Sequence, residues 1–433
     1  MKNLVVPVIL LFLTSCNEQK DNSYFTPVKA SAYFSKIETA CRRDSGRLWG
    51  VDLYGPLMFI DRNSRRILAN EPDAEGLLKL RDGIYTGSYP SERIISTTAL
   101  IFGGKSFAMC PLPNAEDEFR IISRAIHALF HRYQLLSGIN PQDFIAVNTD
   151  EKEARLWIKL EWKALRKALL SEGEEKTLAV RDALIFRGSN REQYKKYAFE
   201  NNRFETYEGL STFTGFVLAS SGTDECKTRL IEHLDWMYSF QSFSRSYGAV
   251  TGALYAMLLA EKGFNFTTIT SIDTDLGVLV KELYDIKLPE VCRDVAGSIA
   301  LNYDLDAINR EEEKRLEEIK ERLNKQVSVF TEKPVLLLEL ESPSFDFEPQ
   351  DVHSLDTLGT LYTALRVSDN WGKLTVDKGG CLISNNFKHI RLPGHGVKEE
   401  KNRISGDGWH IILNNGWILN KINDNYFVSR VEP

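Results

Sequence analysis

The chain has 433 residues, 43% of them hydrophobic, and a formal net charge of −6. That length suits two or three domains, and the apolar content is ample for packed cores, which excludes a disordered or fibrous chain. The acidic balance and the lack of a basic stripe exclude nucleic acid as the partner.

Residues 1–15 read as a signal peptide. Lys2 supplies the positive n-region, and residues 5–13 form an apolar stretch too short to span as a permanent helix. Leu13-Thr14-Ser15-Cys16 resembles a lipobox, which implies cleavage before Cys16 and diacylation of its thiol. Lipid chains at that residue would hold the protein on a bacterial envelope membrane, as a lipid-anchored lipoprotein. Asn17 follows the cysteine where an aspartate would retain it, which favours the outer membrane over the inner. No later stretch is long and apolar enough to cross a bilayer. The other cysteines, Cys41, Cys110, Cys226, Cys292 and Cys381, are an odd, widely spaced set without CxxC pairs. They read as small buried hydrophobes with at most one bridge between them.

Residues 16–33 are a polar tether behind the lipidated cysteine. Residues 34–113 alternate short apolar runs with turns, and Gly103-Gly104 sits at the tip of an expected hairpin. This region reads as a small β-meander. Residues 114–307 are expected to be helical, opening with an N-cap candidate in Asn114-Ala115-Glu116-Asp117-Glu118 and an apolar helical pattern through Phe119, Ile122, Ile126, Leu129, Phe130 and Tyr133. Residues 308–327 are almost wholly charged, with a thin seam at Leu316, Ile319 and Leu323, and read as an exposed connecting helix. From residue 328 to 433, short β-type runs punctuated by Gly-Gly, Asn-Asn and Gly-Asp-Gly turns predict a small all-β domain. Its Trp409 and Trp417 suit either a ligand face or the packing of a small sheet.

Two histidines one helical turn apart, His127 and His131, leave the same face of the third element of this plan. Spacing of i, i+4 lets both imidazoles reach one tetrahedral metal ion. Such a pair needs a third ligand. Tyr207-Glu208-Gly209-Leu210-Ser211-Thr212-Phe213 follows downstream.

A His-x-x-x-His pair followed by Glu-Gly-apolar-small-x-aromatic resembles the gluzincin metallopeptidases, the aminopeptidase N-like group. The resemblance covers roughly residues 119–260. It implies a zincin-like helical core within an α+β chain, zinc as cofactor, and Glu208 as third ligand beside His127 and His131. It also implies that Tyr247, in Ser246-Tyr247-Gly248-Ala249, donates to an oxyanion. Two departures stand out. Ala128 occupies the position of the glutamate that activates the metal-bound water. The interval from His131 to Glu208 is also long, and Glu161 and Glu205 are rival ligands or replacement bases within it. The pair Arg187 and Arg191 suits either a carboxylate-binding spot or a solvated loop.

The function this implies is a degenerate peptidase homologue that binds peptide or protein in a zinc-site cleft. Two alternatives stay open: a structural or adaptor lipoprotein without metal, and an active zinc peptide hydrolase with another base.

Overall fold

The computed structural model describes residues 25–113, 117–139, 147–331, 334–347, 352–355 and 358–431. The signal segment and Cys16 lie outside the described residues. Thr26, in extended backbone, accepts a hydrogen bond from the Lys29 amide and caps helix α1 (Pro27–Asp44), with Pro27 in its first turn. The expected tether thus gives way to a helix within its own span. Ile37, Phe34 and Cys41 face inward on α1 at helical spacing, a pattern too short and too broken by polar residues to stand out beside the strand signals that follow.

Six strands make the first sheet: β1 (Leu57–Ile60), β2 (Arg66–Ala69), β3 (Lys79–Arg81), β4 (Ile84–Ser88), β5 (Thr98–Phe102) and β6 (Lys105–Pro111). The hairpin at Gly103-Gly104 forms as expected, with Phe102 opposite Lys105. The sheet is not the simple meander the sequence suggests. Its order is β3-β4-β2-β1-β6-β5, and β1 pairs with β6 in parallel while the other pairs are antiparallel. Both faces are covered. Alternation sends Leu57 and Phe59 into the main helical core and Met58 and Ile60 into a separate core beneath the sheet.

The helical middle follows. It comprises α2 (Glu118–Leu136), α3 (Lys152–Leu170), α4 (Gly173–Gln193), α5 (Lys195–Ala219), α6 (Thr223–Tyr238), α7 (Tyr247–Glu261), α8 (Leu276–Leu283), α9 (Arg293–Ala300) and α10 (Leu305–Thr331). The eight-residue helices α8 and α9 are too short to show a period in the sequence. None of the helices among the described residues is long and apolar enough to cross a membrane. All five named cysteines after Cys16 are buried free thiols.

Helix α10 corrects the picture of an exposed connector. Its first half is docked: Ile308 is fully buried, and so is Glu312, which accepts from Arg155 at 2.8 Å and Arg315 at 2.6 Å and pairs with Lys159 at 2.9 Å. The charge run looks solvated in sequence because its partners lie on α3, some 150 residues away. Beyond α10, strands from Val335–Glu339 to Asn425–Arg430 form a seven-stranded and a six-stranded sheet around one core. Trp409 belongs to that core, its indole N–H donating to the Pro393 carbonyl at 3.0 Å. Trp417 is half-buried beneath the Arg430 guanidinium.

Helix α5 runs between α2 and α7 at very short range, and glycines permit it. A Cβ at Gly215 would lie 2.3 Å from the Ser123 carbonyl oxygen of α2. A Cβ at Gly209 would lie 2.4 Å from Cα of Gly252 on α7. The Gly-Ala pattern of α7 is therefore a packing seam. Gly215→Ala should force α5 away from α2, costing about 1–3 kcal/mol as an overpacked contact does. Urea unfolding measures that loss, and a variant as stable as the parent would show the approach to be slack.

Candidate metal centre

Helix α2 starts where Asp117 accepts from the Arg120 amide at 2.7 Å, with Glu118 in the first turn to favour the helix N-terminus. Ile121, Ala125, Ile126, Leu129 and Phe130 bury its core face. His127 and His131 sit together beside that stripe, their ring centroids 4.5 Å apart. Across the narrow gap held open by Gly215, α5 presents Glu208.

His127 Nε2 lies 3.5 Å from Glu208 Oε2, and His131 Nε2 lies 3.6 Å from Glu208 Oε1. One donor atom from each of the three residues fits within a 4.8 Å span. These separations are longer than a good N–H···O bond. They come close to the roughly 3.3 Å between donor atoms on bonds of about 2.0–2.1 Å to one metal, with each ring facing a different oxygen of Glu208. Among the described residues this is the one group of three or more His, Cys, Asp or Glu that meets the geometric requirement for holding a metal ion.

The back of each imidazole is also arranged for metal binding. His131 Nδ1 is 2.8 Å from Gln134 Oε1 and 3.2 Å from Ser211 Oγ. With Nε2 turned to a metal, Nδ1 carries the proton and donates to Gln134, so the tautomer is set. Gln134 in turn donates to the Tyr207 carbonyl at 3.2 Å, tying α2 to the residue before Glu208. Tyr207 stacks on the His131 ring with centroids 4.4 Å apart. Thr212 Oγ1 is 3.4 Å from His127 Nδ1. The His131 side chain is sealed at 1% exposure, while His127 and Glu208 keep 16% and 25% and open onto solvent. Burial alone would raise the Glu208 carboxyl, but the His131 charge and contacts with both rings hold it far below the ordinary carboxylate range. Burial and the neighbouring His131 push the His127 imidazole down, against the pull of Glu208. The group therefore presents a carboxylate and a neutral His127, the forms a metal takes.

The supporting residues were not found in sequence, although a signal exists. Gln134 follows His131 by three positions and Ser211 follows Glu208 by three, the spacing of neighbours on a helix face.

The other expected site residues lie elsewhere. Arg187, on α4, donates to both oxygens of Glu205 at 2.6 and 2.7 Å and approaches Glu161 at 3.4 Å and Asp275 at 3.3 Å. Tyr247 donates to Glu205 at 3.1 Å and Tyr255 to Glu161 at 2.8 Å. Glu161 and Glu205 are fully buried and Tyr247 nearly so. Glu161 and Glu205 thus serve as counter-ions of Arg187, apart from the metal-binding group. Burial and the Glu205 charge raise the Tyr247 hydroxyl well above its usual range, so it stays a donor committed to that carboxylate. Arg187 and Arg191 are helical, and the carboxylate they share is the protein's own Asp275.

Ala128 has no exposed surface and belongs to the helical core. Beside His127 a cavity of about 460 Å³ opens between α2, α5 and α6, walled by Phe119, Phe216, Trp236 and Met237. Its size falls in the range of small-ligand sites.

Two measurements probe this arrangement. Gln134→Ala should lower metal affinity about 10–100-fold, the effect of losing a partner behind a ligand; metal titration with a competing chelator reads it. Burial, aided by the Glu205 charge and opposed by Arg187, raises the Glu161 carboxyl to about 7. Its folded-state value lies above the unfolded one of 4.5, so this group's contribution is fullest in acid and is lost as pH rises from about 4.5 to 7. Glu161→Gln should remove that slope from the urea-unfolding profile.

Comparison with protein-family models, curated proteins and solved structures gives no match.

Proposed function

We propose that this chain is a zincin-like, metallopeptidase-derived lipoprotein that holds zinc through His127, His131 and Glu208 and binds peptide in the adjoining cleft. The observation that carries the reading is the convergence of three donors from two helices, 77 positions apart at their nearest in sequence, to within 4.8 Å of one another. Two imidazoles and one carboxylate leave a fourth position open, the arrangement of a catalytic zinc. The rear hydrogen bonds to Gln134 and Ser211 support it further, since metal-bound histidines keep such partners.

A metal bound there supplies Lewis acidity toward a carbonyl oxygen. The protein's own groups provide less than a full peptidase needs. The position after His127 is an alanine, and general-base assistance is worth roughly 10²–10⁴ in rate. Glu161 and Glu205, the carboxylates that would have to replace it, are held by Arg187. The reading is therefore a peptide-binding protein with impaired hydrolysis. Lipidation at Cys16 would place it on the bacterial envelope, with the outer membrane favoured.

Metal analysis of the purified protein should find close to one zinc per chain, lost in His131→Ala. Absence of zinc from the parent leaves the adaptor reading. Ala128→Glu should switch on hydrolysis of unstructured peptides if the base is what is missing; an inactive, zinc-loaded variant would mean more of the machinery has gone. Rapid hydrolysis by the parent itself would favour an active enzyme with another base.

A further inference from the structure

One face of α2 carries Arg120, Arg124, His127 and His131 at spacings of four, three and four residues, so two guanidinium groups lead along the cleft to the metal centre. The lining holds Arg120, Arg124 and Arg229 against Asp117 and Glu232. Arg229 is paired twice, with Glu232 and with Glu225 at 3.9 Å, whereas Arg120 has, among the described residues, only a loose partner. Asp117 stands 3.9 Å from Arg120 and also caps α2, while Glu232 is turned to Arg229 at 3.3 Å. The Arg120 guanidinium lies over the Trp236 ring, 5.4 Å from its centroid. Beside it, the His233 ring packs between Phe216 and Trp236 at 5.2 and 5.9 Å.

The neighbours that disfavour a charge on His233 are Arg120 and His127. Burial first, and these two neighbours second, push its imidazole down to about 4. A cavity with apolar walls and the loosely paired Arg120 guanidinium at its rim, next to a site that would add a divalent cation, suits an anion carried on an apolar group.

We infer that the cleft recognises the free C-terminal carboxylate of a peptide whose last residue has a large apolar side chain. Arg120, with His233 beside it, takes the carboxylate, and Phe216, Trp236 and Met237 receive the side chain. An earlier carbonyl of the same peptide then faces His127 and the metal. Seven residues separate Arg120 from His127, about 10.5 Å of rise along a helix, which two extended residues at about 3.3–3.6 Å each cover once a metal–oxygen bond and a hydrogen bond are added. This assignment deepens the peptide-cleft reading and rests on it.

The test uses the full chain, loaded with zinc, and two probes: the tripeptide Ala-Ala-Phe as free acid and as C-terminal amide. Calorimetry should show the acid binding at least about tenfold more tightly, as expected for a charge-assisted bond lost in the amide. Arg120→Gln should erase that preference while leaving zinc content unchanged. Arg120 is on the surface, and circular dichroism and zinc content confirm that the variant is folded. Equal affinity for acid and amide, or no binding of either, overturns the carboxylate assignment while a full zinc complement keeps the metal centre. A chain without zinc that still prefers the acid, and loses the preference in Arg120→Gln, keeps the carboxylate site and removes the metal reading.

Discussion

The close approach of α5 to its two neighbours is the constraint on which the centre of this molecule depends. A helix pair normally packs 8–10 Å apart, and the side chains at the contact set the distance. Here Gly215 meets the Ser123 carbonyl and Gly209 meets Gly252, so α5 is wedged between α2 and α7 with backbone against backbone. The donors of His127, His131 and Glu208 meet because of it. A methyl group at either glycine would stand where another backbone already lies.

The same wedge sorts the carboxylates of α5. Glu205 and Glu208 are three residues apart and read in sequence as nearly one face. Between two closely packed helices, that small angular difference sends them to different partners. Glu208 turns to the histidines of α2, and Glu205 to Arg187, which also reaches Glu161 of α3 and Asp275 at the start of α8. A buried bidentate pair of this kind is costly to break from one side, because the remaining charge has no water to fall back on. It pins α3, α4 and α5 together. The two clusters are neighbours in the chain and separate in chemistry.

What the cleft lacks and what it offers are both electrostatic. The residue after His127 is an alanine buried in the helical core, so no carboxylate stands there. Arginines of α2 and α6, paired in part with Asp117, Glu225 and Glu232, and apolar rings line its walls.

Much of this was legible in the residues. The helical spacing of His127 and His131, the turn at Gly103-Gly104, the helix periods of α2 and α3 and the β character after residue 328 follow from local geometry, because neighbours on one helix or hairpin are set by sequence distance alone. The parallel pairing of β1 with β6, the burial of Glu312, the core position of Trp409 and the commitment of Glu161, Glu205 and Tyr247 to Arg187 were not legible. Each is a contact between segments far apart in the chain, and a charge run or a lone tyrosine reads the same whether its partner is water or a buried counter-ion. By itself, then, the sequence determined which side chains share a helix face and that a histidine pair lies on one of them with an alanine between. Only the tertiary structure decided which distant carboxylate meets that pair, since helix packing distances, set here by two glycine contacts, have no local signature.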